Sequence, residues 1–174
     1  MSKGYNGSRR DKYPQFMCGL LSESAANTFT TVSVNVPVNN LSQRGRTRSI
    51  IEILWIDMTV TSSDGASGSA TSVSFSLGST PTGILDRNDP RSIANYYRST
   101  VITTSGLWKK EMPATLNLQT KDGYGYLFAG DRFHISILSV SETSAQSVYW
   151  RVYYREVGVT VEEYVGIVQQ QSQQ

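Results

Sequence analysis

Side chains able to do covalent or acid-base chemistry are sparse in this sequence, and their spacing excludes most catalysis. His134 is the sole histidine and Cys18 the sole cysteine, so neither a multi-histidine zinc site nor a thiolate cluster can form. A Ser-His-Asp triad would have to recruit His134 with nearby Asp131, yet no G-x-S-x-G elbow accompanies them. His134 precedes Ile135 in an apolar run and reads as a structural strand histidine. Glu52 and Asp57 are five apart on one expected strand, and Glu162 and Glu163 are adjacent, so strand alternation sets each pair on opposite faces. The glycine-rich GYGYLFAG lacks the spacing of a phosphate loop and leads into no helix. Asn6-Gly7-Ser8 and Asn40-Leu41-Ser42 match the glycosylation acceptor pattern, which carries little weight without a secretory leader. No enzyme, cofactor or metal is expected.

Binding chemistry is better represented. In SVYWRVYYREV, residues 147–157, one strand face carries Val148, Trp150, Val152 and Tyr154, an ordinary core set. The other carries Tyr149, Arg151, Tyr153 and Arg155, aromatic and basic by turns. Rings that stack and guanidinium groups that meet phosphate suit single-stranded nucleic acid. Tyr and Arg are equally enriched at protein interfaces, and a solvent face with tyrosines shielding the strand is a third reading. Arg44, Arg46 and Arg48 stand at i, i+2 and i+4, so an extended chain projects all three to one side, as phosphate binding or a solvated loop would have it. Lys3, Arg9, Arg10 and Lys12 make the leader basic. The first 49 residues hold seven basic side chains against two acids, and the remaining 125 hold nine against twelve. A basic front end on a near-neutral body points to a polyanion partner at that end.

The elements that must position these residues are strands. The chain has 174 residues, 39% hydrophobic and 17% charged, with abundant Ser, Thr, Asn and Gln; this suits one extended domain better than a helical one. NTFTTVSVNVPV alternates Val32, Val34, Val36 and Val38 with polar residues, and Pro37 marks its edge or end. TRSIIEILWIDMTVTS is apolar on both faces, with Ile50, Leu54, Ile56, Met58 and Val60 against Ile51, Ile53 and Trp55. TSVSFSLG alternates with Val73, Phe75 and Leu77 inward, and RSTVITT, PATLNLQT and the two halves of KDGYGYLFAGDRFHISILSV read as further strands. Asp89-Pro90 supplies an N-cap and a first-turn proline, predicting one short helix near 90–97. The fold class expected is all-β: a single eight-stranded antiparallel jelly roll, or β-sandwich. It divides into a short basic arm (1–14), a shell domain (15–158) and a C-terminal assembly tail (159–174). In that tail Val159, Val161, Val165, Ile167 and Val168 are too apolar to wave in water. The opening MSKGYNGSRRDKYPQF has no apolar core, and no run approaches a membrane span, so a soluble protein made inside the cell is expected.

YPQF after a short basic leader, AANTFTT, and the terminal YWRVYYREVGVTVEEYVGIVQQQSQQ together resemble capsid proteins of small circular single-stranded DNA viruses, most closely environmental and marine members. The resemblance implies a jelly-roll coat protein assembling into an icosahedral T=1 shell of about sixty copies. The shell encloses a single-stranded genome with the basic arm inward; the family's genome is DNA, and small RNA satellite viruses use the same kind of shell protein, so both cargoes stay open. It implies a virion location, assembly inside the host cell with the nucleus as one candidate compartment, and no membrane partner. Nucleic-acid contacts then fall to Lys3, Arg9, Arg10, Lys12, Arg44, Arg46 and Arg48. The leader departs from the dense arginine arms of that group, with four basic residues and Asp11 among them. That weakens genome binding per subunit and shifts it onto many copies. The Tyr149, Arg151, Tyr153 and Arg155 face then reads as subunit interface with Tyr164, Val165 and Ile167 of the tail, its arginines pairing with Glu162 or Glu163 of a neighbour. The alternatives are a carbohydrate-binding jelly-roll module using Tyr96, Tyr97 and Trp108, and a lone single-stranded nucleic-acid-binding protein.

Overall fold

The computed structural model describes residues 13–37, 47–61, 69–101 and 113–172. Among them run nine strands and one helix: β1 (Gln15–Ser22), β2 (Thr30–Asn35), β3 (Thr47–Val60), β4 (Ala70–Gly78), β5 (Ser92–Val101), β6 (Pro113–Asn117), β7 (Tyr126–Phe128), β8 (Arg132–Val140), β9 (Ser147–Thr160) and α1 (Val161–Ser172). One sheet has the order β1-β9-β3-β6, with β7 also pairing with β3; the other has the order β2-β8-β4-β5. All pairings are antiparallel. Apart from the β4–β5 pair within one sheet and short β7 beside β3, successive strands cross between two facing sheets, so the eight-stranded jelly roll is present with three-residue β7 added to it.

The core lies between the sheets. Ile51, Ile53, Ile56, Met58, Val60, Val148, Trp150, Val152 and Tyr154 face Val73, Phe75, Leu77, Phe133, Ile135 and Ile137. β1 was not expected as a strand, because QFMCGLLS carries few core side chains and lies at a sheet edge. It contributes Leu21 to the core, with Met17 packed against it. Between them Gly19 makes room for the Trp150 indole, which a Cβ there would meet at 2.6 Å.

Three expectations are corrected. Residues 90–97 are not helical. Asp89 accepts from the Arg91 amide at 2.9 Å and its carbonyl from the Ser92 amide, which closes a turn and launches β5. The cap signal is real, but pairing with β4 from Ala94↔Leu77 to Val101↔Ala70 decides the conformation. Second, Glu52 and Asp57 are not on opposite faces. β3 is irregular between Ile53 and Trp55, and the extra residue, Leu54, resets the alternation. Ile51 and Ile53 therefore share the core face with Ile56, Met58 and Val60, while Glu52, Trp55, Asp57 and Thr59 all face outward. Third, β9 continues to Thr160 and residues 161–172 form α1, so the expected tail begins as the end of a core strand.

Candidate interaction surface

Every Tyr and Arg of the alternating face lies on the outside of the β1-β9-β3-β6 sheet, and β3 supplies its partners in register. Tyr149 stands opposite Thr59, Arg151 opposite Asp57, Tyr153 opposite Trp55 and Arg155 opposite Glu52. The β3 bulge makes this possible, since without it the acids and Trp55 would not share one face. β1 adds Leu20, Cys18 and Phe16 beside Tyr149, Arg151 and Tyr153. On the far side of β3, β6 adds Thr115 beside Asp57 and Asn117 beside Trp55.

One end of this face is covered by the chain itself. Glu52 is fully buried; one carboxylate oxygen accepts the Gly125 amide at 2.8 Å, and the other lies 3.0 Å from Arg155 Nη2. Arg155 Nη2 also donates to the Gly123 carbonyl at 2.9 Å. The pair thereby pins residues 118–125 against the sheet. Gly123 has a positive φ of 79°, and any Cβ at Gly125 would run into the Ile53 carbonyl, so both glycines are required for the loop to lie so close. Farther along, Ile50, Val157 and Val159 form a second apolar cluster, closed by Leu127, Ala129, Tyr164 and Ile167. Helix α1 starts with a reciprocal capping box: Glu163 N–H donates to Thr160 Oγ1 at 3.2 Å, and Thr160 N–H donates to Glu163 Oε2 at 2.8 Å. Gln171 anchors its other end, donating to the Leu127 carbonyl at 2.8 Å.

The other end is open. Phe16, Leu20 and Tyr149 are 55%, 54% and 57% exposed, and Trp55 and Tyr153 are half-buried. Tyr153 stacks on Trp55 with ring centroids 4.5 Å apart and leans on Phe16 at 5.9 Å. Arg151 lies over the Phe16 ring at 4.8 Å and donates to Tyr153 Oη at 3.2 Å. That hydrogen bond is the main reason its guanidinium holds its proton more tightly than usual. Asp57 accepts from the Thr115 hydroxyl at 2.7 Å. A shallow depression of about 600 Å³ runs between Cys18, Asp57, Thr59, Thr115, Tyr149 and Arg151. The array is amphipathic and charge-bearing, with Arg151 and Asp57 each held by a neighbouring hydroxyl.

The sequence-derived site residues distribute unevenly. Tyr149, Arg151 and Tyr153 are brought together on the open end. Arg155 is committed to Glu52 of its own chain, and Glu163 to the capping box, so the expected pairing of these two with a neighbour is corrected. Arg155 finds its acid within the chain because the bulged β3 puts Glu52 opposite it, and Glu163 finds the Thr160 amide. Tyr164 and Ile167 pack on their own chain's cluster, whereas Val165 is 45% exposed. Arg48 is half-buried on β3 opposite Val159. Lys3, Arg9, Arg10, Lys12, Arg44, Arg46 and Trp108 lie outside the described residues. Tyr96 packs against the core while Tyr97 points to solvent, so these two cannot line one carbohydrate platform. His134 Nδ1 lies 3.0 Å from the Ser33 hydroxyl on the outside of the other sheet. Its pKa is lowered, first by burial and then by Arg132. Among the described residues no three His, Cys, Asp or Glu side chains gather as metal ligands. Phe16, Leu20 and Trp55 were missed as surface residues; only the strand pairing with β9 places them there.

No family model matches the chain, and no curated protein matches it. Solved structures do. The VP1 protein of Trichodysplasia spinulosa-associated polyomavirus, determined with GM1 oligosaccharide, is 12% identical, with a TM-score of 0.51 over 92% of this chain and 98% of that one. The Merkel cell polyomavirus virus-like particle gives 11% identity and a TM-score of 0.56 over 85% of this chain and 75% of that one. VP1 of New Jersey polyomavirus gives 10% identity and a TM-score of 0.51 over 85% of this chain and 100% of that one. At these identities the likeness is one of fold: the chain is similar in architecture to capsid jelly rolls.

Proposed function

We propose that this chain is a viral capsid protein whose copies assemble into a small closed shell around a single-stranded genome. One observation carries the reading. A completed sandwich, with its own core filled, still presents Phe16, Leu20, Tyr149 and the Tyr153–Trp55 stack on one sheet face. Isolated apolar residues on a surface need no explanation, but a contiguous aromatic patch around an arginine is the composition of a protein interface. The fold it shares with polyomavirus VP1 supports the same reading. The shell is icosahedral and of the simplest T=1 type with about sixty copies, and the chain acts without catalysis, located in the virion. Lys3, Arg9, Arg10, Lys12, Arg44, Arg46 and Arg48 contact the genome, which is DNA. With few basic residues per leader, affinity comes from many copies acting together.

Size-exclusion chromatography and negative-stain microscopy of the purified chain test this directly. Particles of megadalton mass are expected, and a stable monomer or small oligomer at high concentration would overturn it. Neutralising Arg9, Arg10 and Lys12 should lower the 260/280 nm absorbance ratio of the particles without preventing their formation. An unchanged ratio would remove the leader from genome binding.

A further inference from the structure

The open end of the outer sheet face is laid out as a grid. Across β1, β9, β3 and β6 the rows read Phe16-Tyr153-Trp55-Asn117, Cys18-Arg151-Asp57-Thr115, and Leu20-Tyr149-Thr59-Pro113. Arg151 and Asp57 sit at its centre, in register on neighbouring strands, yet their side chains do not form an ion pair with each other. Asp57 is held by Thr115 and Arg151 by Tyr153, so the two charges are fixed side by side.

We infer that this face packs against the same face of a second copy, about a two-fold axis that runs along the strands between β9 and β3. The inference deepens the capsid reading, on which its shell context rests, by naming the partner and register of the surface. A rotation about that axis exchanges the β9 and β3 columns. Arg151 of each copy then meets Asp57 of the other, and Tyr153 of each meets Trp55 of the other. Phe16 falls over Asn117, and Cys18 over Thr115. Charge and aromatic rows are thus self-complementary, as an isologous contact requires. A two-fold axis perpendicular to the strands, through the central row, would instead set Arg151 on Arg151 and Asp57 on Asp57. The charges therefore select the first axis. The footprint is about 20 Å by 20 Å from strand and residue spacings, roughly half of the ~800 Å² per partner of a standard interface. Such a contact is weak alone, holds when other contacts of a shell add to it, and is sensitive to a reversed charge.

Charge reversal provides the test, with purified chains and particle yield as readout. Arg151→Asp sets two acids against each other across the axis, and Asp57→Arg sets two cations; each alone should lose about tenfold in particle yield. Mixing the two single variants makes every cross-axis pair opposite in sign, so the mixture should assemble where neither component does. A merely structural role for either residue predicts no such rescue. Circular dichroism of each variant establishes that it is folded. Folded variants that assemble singly, or that fail to assemble when mixed, overturn the inference. Thr115→Cys provides a second route that leaves both charges in place. A bis-maleimide of about 10 Å reach, the spacing of packed sheets, should link Cys18 of one copy to the new cysteine of the next. Within one chain these positions are three strand spacings apart, about 14 Å, beyond that reach. The unmodified chain, whose Cys18 residues lie far apart across the axis, is the control. Particles that form without this crosslink reject the inference and leave the capsid reading standing. A crosslinked dimer that never grows to particles rejects the shell and leaves the contact. Protection of the face by a single-stranded oligonucleotide in place of the crosslink would make it a nucleic-acid surface, and would also overturn the inference.

Discussion

Along β3 and β9 one sheet face meets two different fates. Toward Ile50 and Val157 the chain covers its own strands with α1 and the 118–125 loop; toward Trp55 and Tyr149 the same two strands stay open. Both ends carry the same kind of side chain, apolar or aromatic residues around an arginine facing an acid. At the covered end the pair is Arg155 and Glu52, buried and tied to backbone. At the open end it is Arg151 and Asp57, in register and near solvent. What separates a core from an interaction surface here is which segment lies on top. A face left uncovered by its own chain keeps its apolar area as free energy for a partner.

Breaking the covered pair should have the largest effect. Glu52→Ala leaves Arg155 in a mostly buried setting without its carboxylate and removes the acceptor for the Gly125 amide. A loss of about 3 kcal/mol or more is expected, read as a lower urea midpoint. Asp57→Ala, the matching change at the open end, should move the midpoint by less than about 0.5 kcal/mol, because its site is solvated. Equal losses at the two positions would erase the distinction between the ends.

Truncating apolar side chains sharpens the same contrast. Ile167→Ala thins the cover over Ile50, Val157 and Val159 and should cost about 1–2 kcal/mol of folding stability. Tyr149→Ala removes a side chain that touches mostly water; it should leave the melting temperature within about 2 °C while reducing particle yield. If Tyr149→Ala melts early, or if Ile167→Ala alone abolishes particles at full stability, the roles of the two ends are exchanged.

Much of this contrast could be read from residues, and what escaped did so for physical reasons. The core face of β9 was legible because Val148, Trp150, Val152 and Tyr154 alternate without interruption over a strand that pairs on both edges. The jelly roll itself followed from such runs. The bulge at Leu54 was not legible, since an extra residue in an all-apolar run leaves no trace in the pattern, and with it went the facing of Glu52 and Asp57. The first half of β5, residues 92–97, reads as helix from a valid cap signal, which a four-residue turn uses equally well. Helix α1 hid because VTVEEYVGIV is rich in β-branched residues; Thr160 and Glu163, spaced as a capping box, were the available signal. The alternating Tyr and Arg of β9 did show an unusual surface. They could not show that half of it is covered from within the chain, because cover is a property of the fold.

Removing that capping box loosens the cover without touching the apolar contact beneath it. Thr160→Ala deletes the acceptor for the Glu163 amide and should cost about 1 kcal/mol. Amide exchange would locate the loss: protection should fall in residues 161–172 and hold at the open end around Trp55. Uniform loss of protection would mean that α1 and the sandwich unfold as one unit.

The outside of the second sheet offers a third case, a face that is buried in part yet polar. His134 and Ser33 meet there, with Thr31 and Ser136 hydrogen-bonded beside them at 3.0 Å. Burial, and then Arg132, hold the imidazole below its ordinary value of 6.5. The unfolded chain therefore takes up a proton near pH 6.5 that the folded chain refuses, so this residue's share of stability is full above that pH. It is lost as the pH falls toward the folded value. His134→Gln keeps a side chain that can hydrogen-bond to Ser33 and removes the titration. Between pH 7.5 and 5 the melting temperature of the unmodified chain should fall more than that of the variant, by a margin smaller than any effect above. Parallel declines would show that Ser33 stabilises the protonated ring as well as the neutral one, and that burial on this face does not discriminate between them.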